Sequence, residues 1–334
     1  MSSLWMRSEG SAGNDKGNVS WSVGVCRLDG GCMMNEAKLN RRAFIAGCGA
    51  ALAVPSLAKA QFDGKGSAKV RFGVIADCHY ANRDERLKGG YEDYVYYRES
   101  LVKVRRFVEV MSERKVDFII ELGDFKDRSK TVSETLSKLG EIEKAFVAFA
   151  GPHYHVLGNH DTDVLTPAEF LSHISNTGFD QAKSYYSFVR CGFKFIVLDA
   201  NYDREMQHFS QNNPWKDAQV PPEELEWLKE ELSTTKLPVV VFCHERLDPC
   251  PRKECQAKNA ADVRAVLEGS RKVKAVIMGH SHEEGLCNLN GIRYHSVRAL
   301  CIGEAKDCCP FAEIAVDADG TVSVTDFSAP VPDL

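Results

Sequence analysis

Polar side chains that can bind metal ions follow five apolar stretches of the sequence, at the point where each stretch ends. The clusters are "DCH" with Asp77 and His79, "GD" with Asp124, "GNH" with Asn159 and His160, "CHE" with His244, and "GHSH" with His280 and His282. In open α/β sheets, ligands bind at the carboxyl ends of the strands. We therefore expect the five clusters to converge on one place.

The side chains of these clusters are of the types that bind transition metals. With His160 set aside, they comprise carboxylates, one amide oxygen and imidazoles, without a thiolate. Such a set favours Mn, Fe, Zn or Co over Mg or Ca. It is too large for one tetrahedral site but suits two ions that share a bridging carboxylate, roughly 3.5–4 Å apart. The sequence therefore predicts two divalent metal ions per chain.

Three glycines, Gly123, Gly158 and Gly279, directly precede ligands of these clusters. A turn that leaves a strand and approaches a metal site needs unusual backbone angles and little side-chain bulk, which glycine permits. We expect these glycines to bring the backbone close to the site.

The elements that must position these side chains alternate between strands and helices from residue 69 onwards. Apolar runs such as "KVRFGVIAD" and "VDFIIELGD" predict buried strands, and "YYRESLVKVRRFVEVMSER" has apolar residues at helical spacing. The alternation predicts an α/β layered fold, with one mixed sheet or two sheets facing each other. Residues 69–328 are interpreted as one domain, and residues 80–97 and 201–222 as loop insertions.

The ordered clusters resemble the calcineurin-like metallophosphoesterase family, whose pattern is D-x-H, G-D-x-x-D, G-N-H-D/E, a lone His and G-H-x-H. This chain carries "DCH", "GDFKD", "GNHD", "CHE" and "GHSH" in that order. The resemblance implies a four-layer α/β/β/α sandwich with two mixed sheets. It also implies a hydrolase of phosphoric esters or phosphoanhydrides, in which a hydroxide that bridges the metals attacks phosphorus.

The resemblance also implies a role for each residue of the pattern. One metal ion would be held by Asp77, His79, Asp124 and His282, and the other by Asp124, Asn159, His244 and His280. His160 would orient or protonate the leaving oxygen, and Asp161 would hold and polarise His160. Asp127, the last position of "GDFKD", is interpreted as a helix cap or as a residue that holds a ligand.

A looser similarity points to one branch of this family. "RFGVIADCHYA", an insertion containing "YYRESL", and "VDFIIELGDFKD" resemble the manganese-dependent ADP-ribose/CDP-alcohol diphosphatases and related bacterial phosphatases. This similarity implies that Tyr96, Tyr97 and Arg98 bind the substrate. The alternative for Arg98 is a salt bridge on the first helix.

Three functions are consistent with the sequence. The first is hydrolysis of phosphodiester or pyrophosphate bonds in nucleotide-like substrates, and the second is a broad phosphomonoesterase that scavenges phosphate. The third, a non-catalytic binding protein with the same fold, predicts damaged ligands, and the pattern has none. A net charge of −5 gives no basic footprint for a nucleic-acid polymer, so a small phosphorylated substrate is expected.

The N-terminal segment is predicted to lie outside the fold. Arg41 and Arg42 precede a short apolar run that ends in Ala58-Lys59-Ala60, the pattern of a signal peptide over residues 34–60. The paired arginines resemble a twin-arginine signal, which predicts the export machinery as a partner and a periplasmic or extracellular location. The run before Cys48 is too short for a lipoprotein signal, and no membrane span is expected after cleavage. Residues 1–33 are predicted to be disordered or untranslated.

Nine cysteines follow the predicted cleavage point. Export would permit disulfides, and an odd number leaves at least one thiol without an intramolecular partner. Cys250 and Cys255 lie in a loop-like stretch and could pair locally. Most of the others are interpreted as small buried side chains.

Overall fold

The computed structural model describes residues 70–86 and 94–332, and the backbone of two short strands, β1 (Leu4–Ser8) and β2 (Trp21–Val25). These two strands pair with each other in antiparallel orientation. The described residues divide into two units, with β1 and β2 in one and the residues from Val70 onwards in the other. The predicted signal at 34–60 lies outside the described residues, and disorder or non-translation of residues 1–33 stays a prediction.

Eleven strands and five α-helices lie among the described residues of the second unit. The strands are β3 (Val70–Ile75), β4 (Phe118–Glu121), β5 (His153–His155), β6 (Tyr186–Arg190), β7 (Phe193–Leu198), β8 (Val239–Cys243), β9 (Val273–Met278), β10 (Gly285–Leu289), β11 (Ile292–Ser296), β12 (Phe311–Val316) and β13 (Val322–Phe327). The helices are α1 (Ser100–Arg114), α2 (Val132–Phe146), α3 (Pro167–Leu171), α4 (Pro222–Thr234) and α5 (Ala260–Ser270).

The strands form two mixed sheets. The first has the order β13-β12-β3-β4-β5 and the second the order β10-β11-β9-β8-β7-β6. β3, β4 and β5 are parallel neighbours, as are β7, β8 and β9. The carboxyl ends of parallel neighbours lie at the same edge of a sheet, so each sheet can present several strand ends to one site.

The core has three apolar layers. Between the two sheets, Phe72 stacks on Phe118 at a centroid distance of 4.7 Å, and Phe195 meets both rings edge-on. A second layer packs the first sheet against α1 and α2, and a third packs the second sheet against α4 and α5. The predicted four-layer α/β/β/α sandwich is therefore confirmed.

Local sequence explains where the helices begin and end. The side chain of Thr131 caps α2 by accepting the backbone N–H of Glu134 at 3.1 Å. α1 buries Val104, Phe107 and Met111, which recur at helical spacing. The β10–β11 hairpin, which the apolar runs do not predict, turns at Asn290-Gly291, a strong two-residue turn signal.

Cys250 and Cys255 are both free thiols, so the local pairing considered for them is absent. Seven of the nine cysteines that follow the predicted cleavage point are buried, as the interpretation of small packed side chains requires. Among the residues that the structure describes, no helix has the length and apolar character needed to cross a membrane.

Candidate metal centre

The seven predicted ligands follow the carboxyl ends of five strands. Asp77 and His79 follow β3, Asp124 follows β4, Asn159 follows β5, His244 follows β8, and His280 and His282 follow β9. Neighbouring turns are hydrogen bonded: the backbone N–H of Asp77 donates to the carbonyl of Gly123 at 3.0 Å, and that of Gly279 to the carbonyl of His244 at 3.1 Å. The backbone N–H of His280 also donates to the carboxylate of Asp77 at 3.1 Å, so the turns form one framework that spans both sheets.

Five of these ligands have a left-handed backbone conformation. The φ angles are 52° at Asp77, 49° at His79, 54° at Asp124, 66° at His280 and 60° at His282. A residue other than glycine in this region costs on the order of 1–3 kcal/mol and persists only when its surroundings hold it. Asp and His are among the side chains that tolerate the region best. The ligands are thus held in place against local backbone preference.

The first group of ligands surrounds His79. Its Nε2 atom lies 3.0 Å from Nε2 of His282 and 3.5 Å from Oδ2 of Asp124. Nε2 of His282 lies 3.6 Å from Oδ1 of Asp77. These separations are short enough for all four side chains to bind one ion, as the resemblance implies.

The second group surrounds His244. Its Nε2 atom lies 3.2 Å from Oδ1 of Asn159, 3.1 Å from Nδ1 of His280 and 3.3 Å from Oδ2 of Asp124. The same Asp124 oxygen therefore faces both groups, which is the position of a bridging carboxylate. Asp124 is buried, as are Asn159 and His244.

The chemistry of the donor atoms fits divalent cations. Imidazole nitrogens converge in pairs, His79 with His282 and His244 with His280. Burial, together with neighbouring positive charge, holds the pKa of His280 and of His282 well below the usual value. Neutral His280 and His282 beside carboxylates suit a metal ion, which needs deprotonated ligands. At His244, burial lowers the pKa, but Asp124 outweighs this effect and raises it well above the usual value.

Contacts of the Nδ1 atom fix the ring orientation of two of the metal-binding histidines. Nδ1 of His244 donates to the carbonyl of Leu122 at 2.7 Å, which leaves Nε2 free to bind a metal. Nδ1 of His79 lies 3.3 Å from Oδ2 of Asp127. Of the two roles considered for Asp127, the structure therefore favours the holding of a ligand, and the cap of α2 is Thr131.

Asp161 differs from the expectation that it holds the His160 ring. Its carboxylate accepts the backbone N–H groups of Gly158 at 2.8 Å, Asp124 at 3.0 Å and Lys126 at 3.2 Å. The side chain is fully buried. Asp161 thus holds the loops that carry Asp124 and Asn159, a role that the spacing of "GNHD" alone does not reveal.

The glycines before two ligands allow a close approach of these loops. A Cβ atom on Gly158 would lie 2.2 Å from the backbone nitrogen of Asp124 and 2.5 Å from its Oδ1 atom. Gly123 has a φ of 92°, and a Cβ atom there would lie 2.7 Å from the nitrogen of Gly158. The expected role of glycine at these turns is therefore confirmed.

His160 lies beside the first group of ligands, and its side chain is 31% exposed. Its ring meets the His79 ring edge-on at a centroid distance of 4.8 Å, and its Nδ1 atom lies 3.5 Å from carboxylate oxygens of Asp127 and Asp163. Burial lowers the pKa of His160, but Asp124, Asp163 and Asp127 outweigh this effect and raise it to about 9. The position and charge suit a proton donor to a leaving oxygen.

The three residues predicted to bind substrate contact side chains other than the metal ligands. Tyr97 is buried, and the guanidinium of Arg83 lies over its ring, 4.6 Å from the centroid. Tyr96 is also buried, with its hydroxyl 3.4 Å from Glu304. The Arg98 side chain donates to Asp84 at 3.0 Å. The substrate-binding role of these three residues stays a prediction.

Arg83 was not predicted as a site residue, but it contacts a residue that faces a metal ligand. Its Nη1 atom donates to Oδ1 of Asp127 at 2.7 Å, and Oδ2 of Asp127 faces His79. The arginine is four positions beyond His79, at the start of the insertion at 80–97. A positive residue just after the D-x-H motif was the only local signal for it.

The second insertion, residues 201–222, reaches the other group of ligands. Nδ2 of Asn159 donates to Oδ1 of Asn213 at 3.0 Å. The Trp215 ring meets the His280 ring edge-on, with centroids 5.5 Å apart. This insertion therefore packs against two ligands of the second group, Asn159 and His280.

The fold and the converged ligands define a metal-dependent phosphoesterase with two metal ions. The sequence profile described as calcineurin-like phosphoesterase matches residues 70–284. This chain belongs to that family.

Several named proteins are similar to the chain. A manganese-dependent ADP-ribose/CDP-alcohol diphosphatase of Oryza sativa subsp. japonica is 27% identical over 278 residues, covering 72% of this chain and 84% of the relative. The Homo sapiens protein of the same name is 25% identical over 299 residues, covering 74% and 87%. A dimetal phosphatase from Danio rerio superposes with a TM-score of 0.64 at 20% identity, covering 78% of this chain and 96% of that structure. This last likeness supports the fold.

Proposed function

We propose that this metal-dependent phosphoesterase hydrolyses pyrophosphate or phosphodiester bonds of nucleotide-like substrates of the ADP-ribose and CDP-alcohol class. The observation that carries the proposal is the position of Asp124, whose Oδ2 atom faces His79 at 3.5 Å and His244 at 3.3 Å. A carboxylate shared by two ligand groups suits two ions that act together on one phosphorus centre. The names of the similar diphosphatases support the substrate class.

The ligand sets follow from the two groups. Asp77, His79, Asp124 and His282 would hold one ion, and Asp124, Asn159, His244 and His280 the other. When bound, the ions supply an activated water nucleophile and neutralise charge on the phosphoryl oxygens. The chain contributes a fixed geometry, because the turns are hydrogen bonded to one another and Asp161 holds two of them.

His160 supplies a proton to the departing oxygen in this proposal. Its Nδ1 side faces Asp127 and Asp163, so the Nε2 atom is the one that can meet the substrate. General acid catalysis of this kind contributes about 10²–10⁴-fold to a rate. Asp163 and Asp127 act as positioning residues, since they orient the ring.

Positive side chains at the edge of the site support an anionic substrate with more than one phosphate. Arg83 is 35% exposed at its side chain while bound to Asp127. Arg252 donates to the carbonyl of Ser281 at 2.9 Å, between the two histidines of "GHSH". Guanidinium groups bind phosphate oxygens in a planar, two-point geometry.

A substrate panel tests the proposed function. The protein is stripped of metal by chelation, reloaded with Mn²⁺, and assayed on ADP-ribose, bis-p-nitrophenyl phosphate and p-nitrophenyl phosphate. We expect hydrolysis of ADP-ribose to AMP and ribose 5-phosphate, dependent on added metal. Activity on the monoester alone would instead establish the phosphomonoesterase alternative.

A ligand variant tests the metal requirement. Asp124→Ala should reduce activity by more than about 100-fold, since even changes to residues behind the ligands cost 10–100-fold. The exposed Asp180, replaced by Ala, is the matched control and should leave metal content and rate unchanged. Near-normal activity of Asp124→Ala would contradict the dinuclear mechanism.

We further propose that the precursor leaves the cytoplasm by the twin-arginine route and acts in the periplasm or outside the cell. The support is the paired Arg41-Arg42, the apolar run and Ala58-Lys59-Ala60. Export after folding would allow the ions to be loaded in the cytoplasm. Replacing both arginines by lysine should retain the precursor in the cytoplasm, measured by fractionation. Unchanged export of this double variant would contradict the route.

A further inference from the structure

We propose that the thiol of Cys301 is an additional ligand of the ion held by His79 and His282. One ligand atom of each of these three residues lies within 4.8 Å of the others, and Cys301 is fully buried. A nitrogen and a sulfur on the same zinc ion can be at most about 4.4 Å apart, since Zn–N is about 2.1 Å and Zn–S about 2.3 Å. A pair of ligand atoms at the 4.8 Å limit would need to move together by about 0.4 Å or more to bind one ion, which is a small side-chain adjustment.

The loop that carries Cys301 is hydrogen bonded to the ligands of that same ion. The backbone N–H of Cys301 donates to the carbonyl of Asp77 at 3.2 Å, and the N–H of Ala299 donates to the carbonyl of His282 at 3.3 Å. Two separate ligand turns thus set the position of this loop. The thiol is placed by the same framework that places the imidazoles.

A buried lysine fixes the loop from the other side. Nζ of Lys103 donates to the carbonyls of Leu300 and Ile302, each at 3.0 Å. These carbonyls flank Cys301 in the chain. A ligand whose backbone is tied on both sides is held in a productive geometry before the metal arrives.

The simpler interpretation is that Cys301 only packs in the apolar cluster that includes Ala81, Val95 and Ile302. Two nearby cysteines have other uses for their thiols: Cys308 donates to the carbonyl of Ile302, and Cys309 donates to that of Lys103. Packing would account for the burial of Cys301. It would not account for the position of Cys301 beside two imidazoles of one metal site.

The inference rests on the metal centre of the proposed function and adds to its chemistry. On coordination the S–H bond breaks, a metal–sulfur bond forms, and the proton passes to solvent, as metal binding generally requires. A thiolate is softer than the oxygen and nitrogen donors of the family pattern. It would therefore shift the preference of this site from Mn²⁺ towards Zn²⁺, Fe²⁺ or Co²⁺.

Optical spectroscopy of the cobalt-loaded full chain tests the ligand directly. The stripped protein is loaded with Co²⁺ to two ions per chain, and its near-ultraviolet absorption is recorded. We expect a strong sulfur-to-cobalt charge-transfer band in the wild type and in Cys309→Ser, and its loss in Cys301→Ser. Cys309 is a matched control because it is equally buried in the same loop.

X-ray absorption of the zinc-loaded wild type keeps the test independent of any variant that fails to fold. We expect a sulfur shell at about 2.3 Å, half a sulfur atom per zinc on average. Absence of that shell at full loading, or a cobalt band that persists in Cys301→Ser, would overturn the inference. Failure to take up either metal would overturn it together with the metal centre. Failure on ADP-ribose with the sulfur signal present would affect only the proposed substrate.

Discussion

The carboxylate of Asp161 accepts the backbone N–H of Asp124 at 3.0 Å, and the same oxygen accepts the N–H of Gly158 at 2.8 Å. One buried side chain therefore joins the turn of the bridging ligand to the turn that precedes Asn159. Because Asp124 adopts a left-handed conformation, it depends on such contacts to stay in place.

The first prediction concerns this contact. Asp161→Asn replaces one accepting oxygen by an NH₂ group, which cannot accept a backbone N–H. We expect metal affinity to fall by about 10–100-fold, the usual effect of changing a residue behind the ligands. Metal content after dialysis at limiting Mn²⁺ is the measurement, with the exposed Asp180→Asn as control. Equal metal retention in both variants would contradict the role assigned to Asp161.

A second prediction separates proton donation from metal binding at His160. His160→Gln removes the ring but keeps the backbone N–H that donates to Oδ1 of Asp124 at 2.6 Å. We expect kcat on a dialkyl phosphodiester, whose alkoxide leaving group needs a proton, to fall by about 10²–10⁴-fold, with metal content unchanged. The loss should be much smaller on bis-p-nitrophenyl phosphate, because p-nitrophenolate departs without a proton. An equal loss on both substrates would argue against proton donation.

The third prediction compares two arginines of the first insertion. Arg83 binds Asp127 next to a metal ligand, whereas Arg98 is 45% exposed and pairs with the exposed Asp84. We expect Arg83→Ala to lower kcat/KM for ADP-ribose by about tenfold, which corresponds to about 1.4 kcal/mol. Arg98→Ala should change it by less than about twofold, since exposed ion pairs contribute little. The reverse order would restore the substrate role inferred for Arg98 from the family resemblance.

A buried ion-pair network behind the site has a consequence for stability. Nδ1 of His155 lies 2.9 Å from Glu121 and its Nε2 lies 3.1 Å from Glu143. Burial lowers the pKa of His155, but Glu143 and Glu121 outweigh this effect and raise it to about 10. The other oxygen of Glu121 accepts the N–H of Gly123 at 2.9 Å, so the network also supports the turn before Asp124.

The fourth prediction follows from the sign of that shift. A group whose pKa is higher in the folded state stabilises the fold fully at pH values below its unfolded-state pKa, which is about 6.5 for histidine. This stabilisation is lost as the pH rises through the folded-state pKa, which is about 10 for His155. We expect the free energy of unfolding to fall between these limits, by at most about 1.4 kcal/mol per pH unit from this group. His155→Gln should lack that part of the slope, measured by urea unfolding from pH 6 to 10. His173→Gln, on the surface, should retain it.

Much of the architecture could be predicted because its signals are local. Apolar runs at β3, β4, β8 and β9 predicted the buried strands, and each stopped at the polar residues that form the site. The short α3 was not predicted, since short elements have weak periodicity, whereas the β10–β11 hairpin carries a local turn signal at Asn290-Gly291. The roles of Asp161 and Arg83 were not predictable, because each depends on contacts with residues more than thirty positions away.

The order and types of the metal ligands were set by the sequence by itself, because strand ends and donor chemistry are both local properties of the chain. The family followed from that order. Only the tertiary structure decided which atoms meet: His79 and His282 are 203 positions apart in the chain and 3.0 Å apart in space. It also placed Cys301 beside them, a residue without a motif of its own. Distances of this kind depend on how two sheets pack together, which no local pattern of residues encodes.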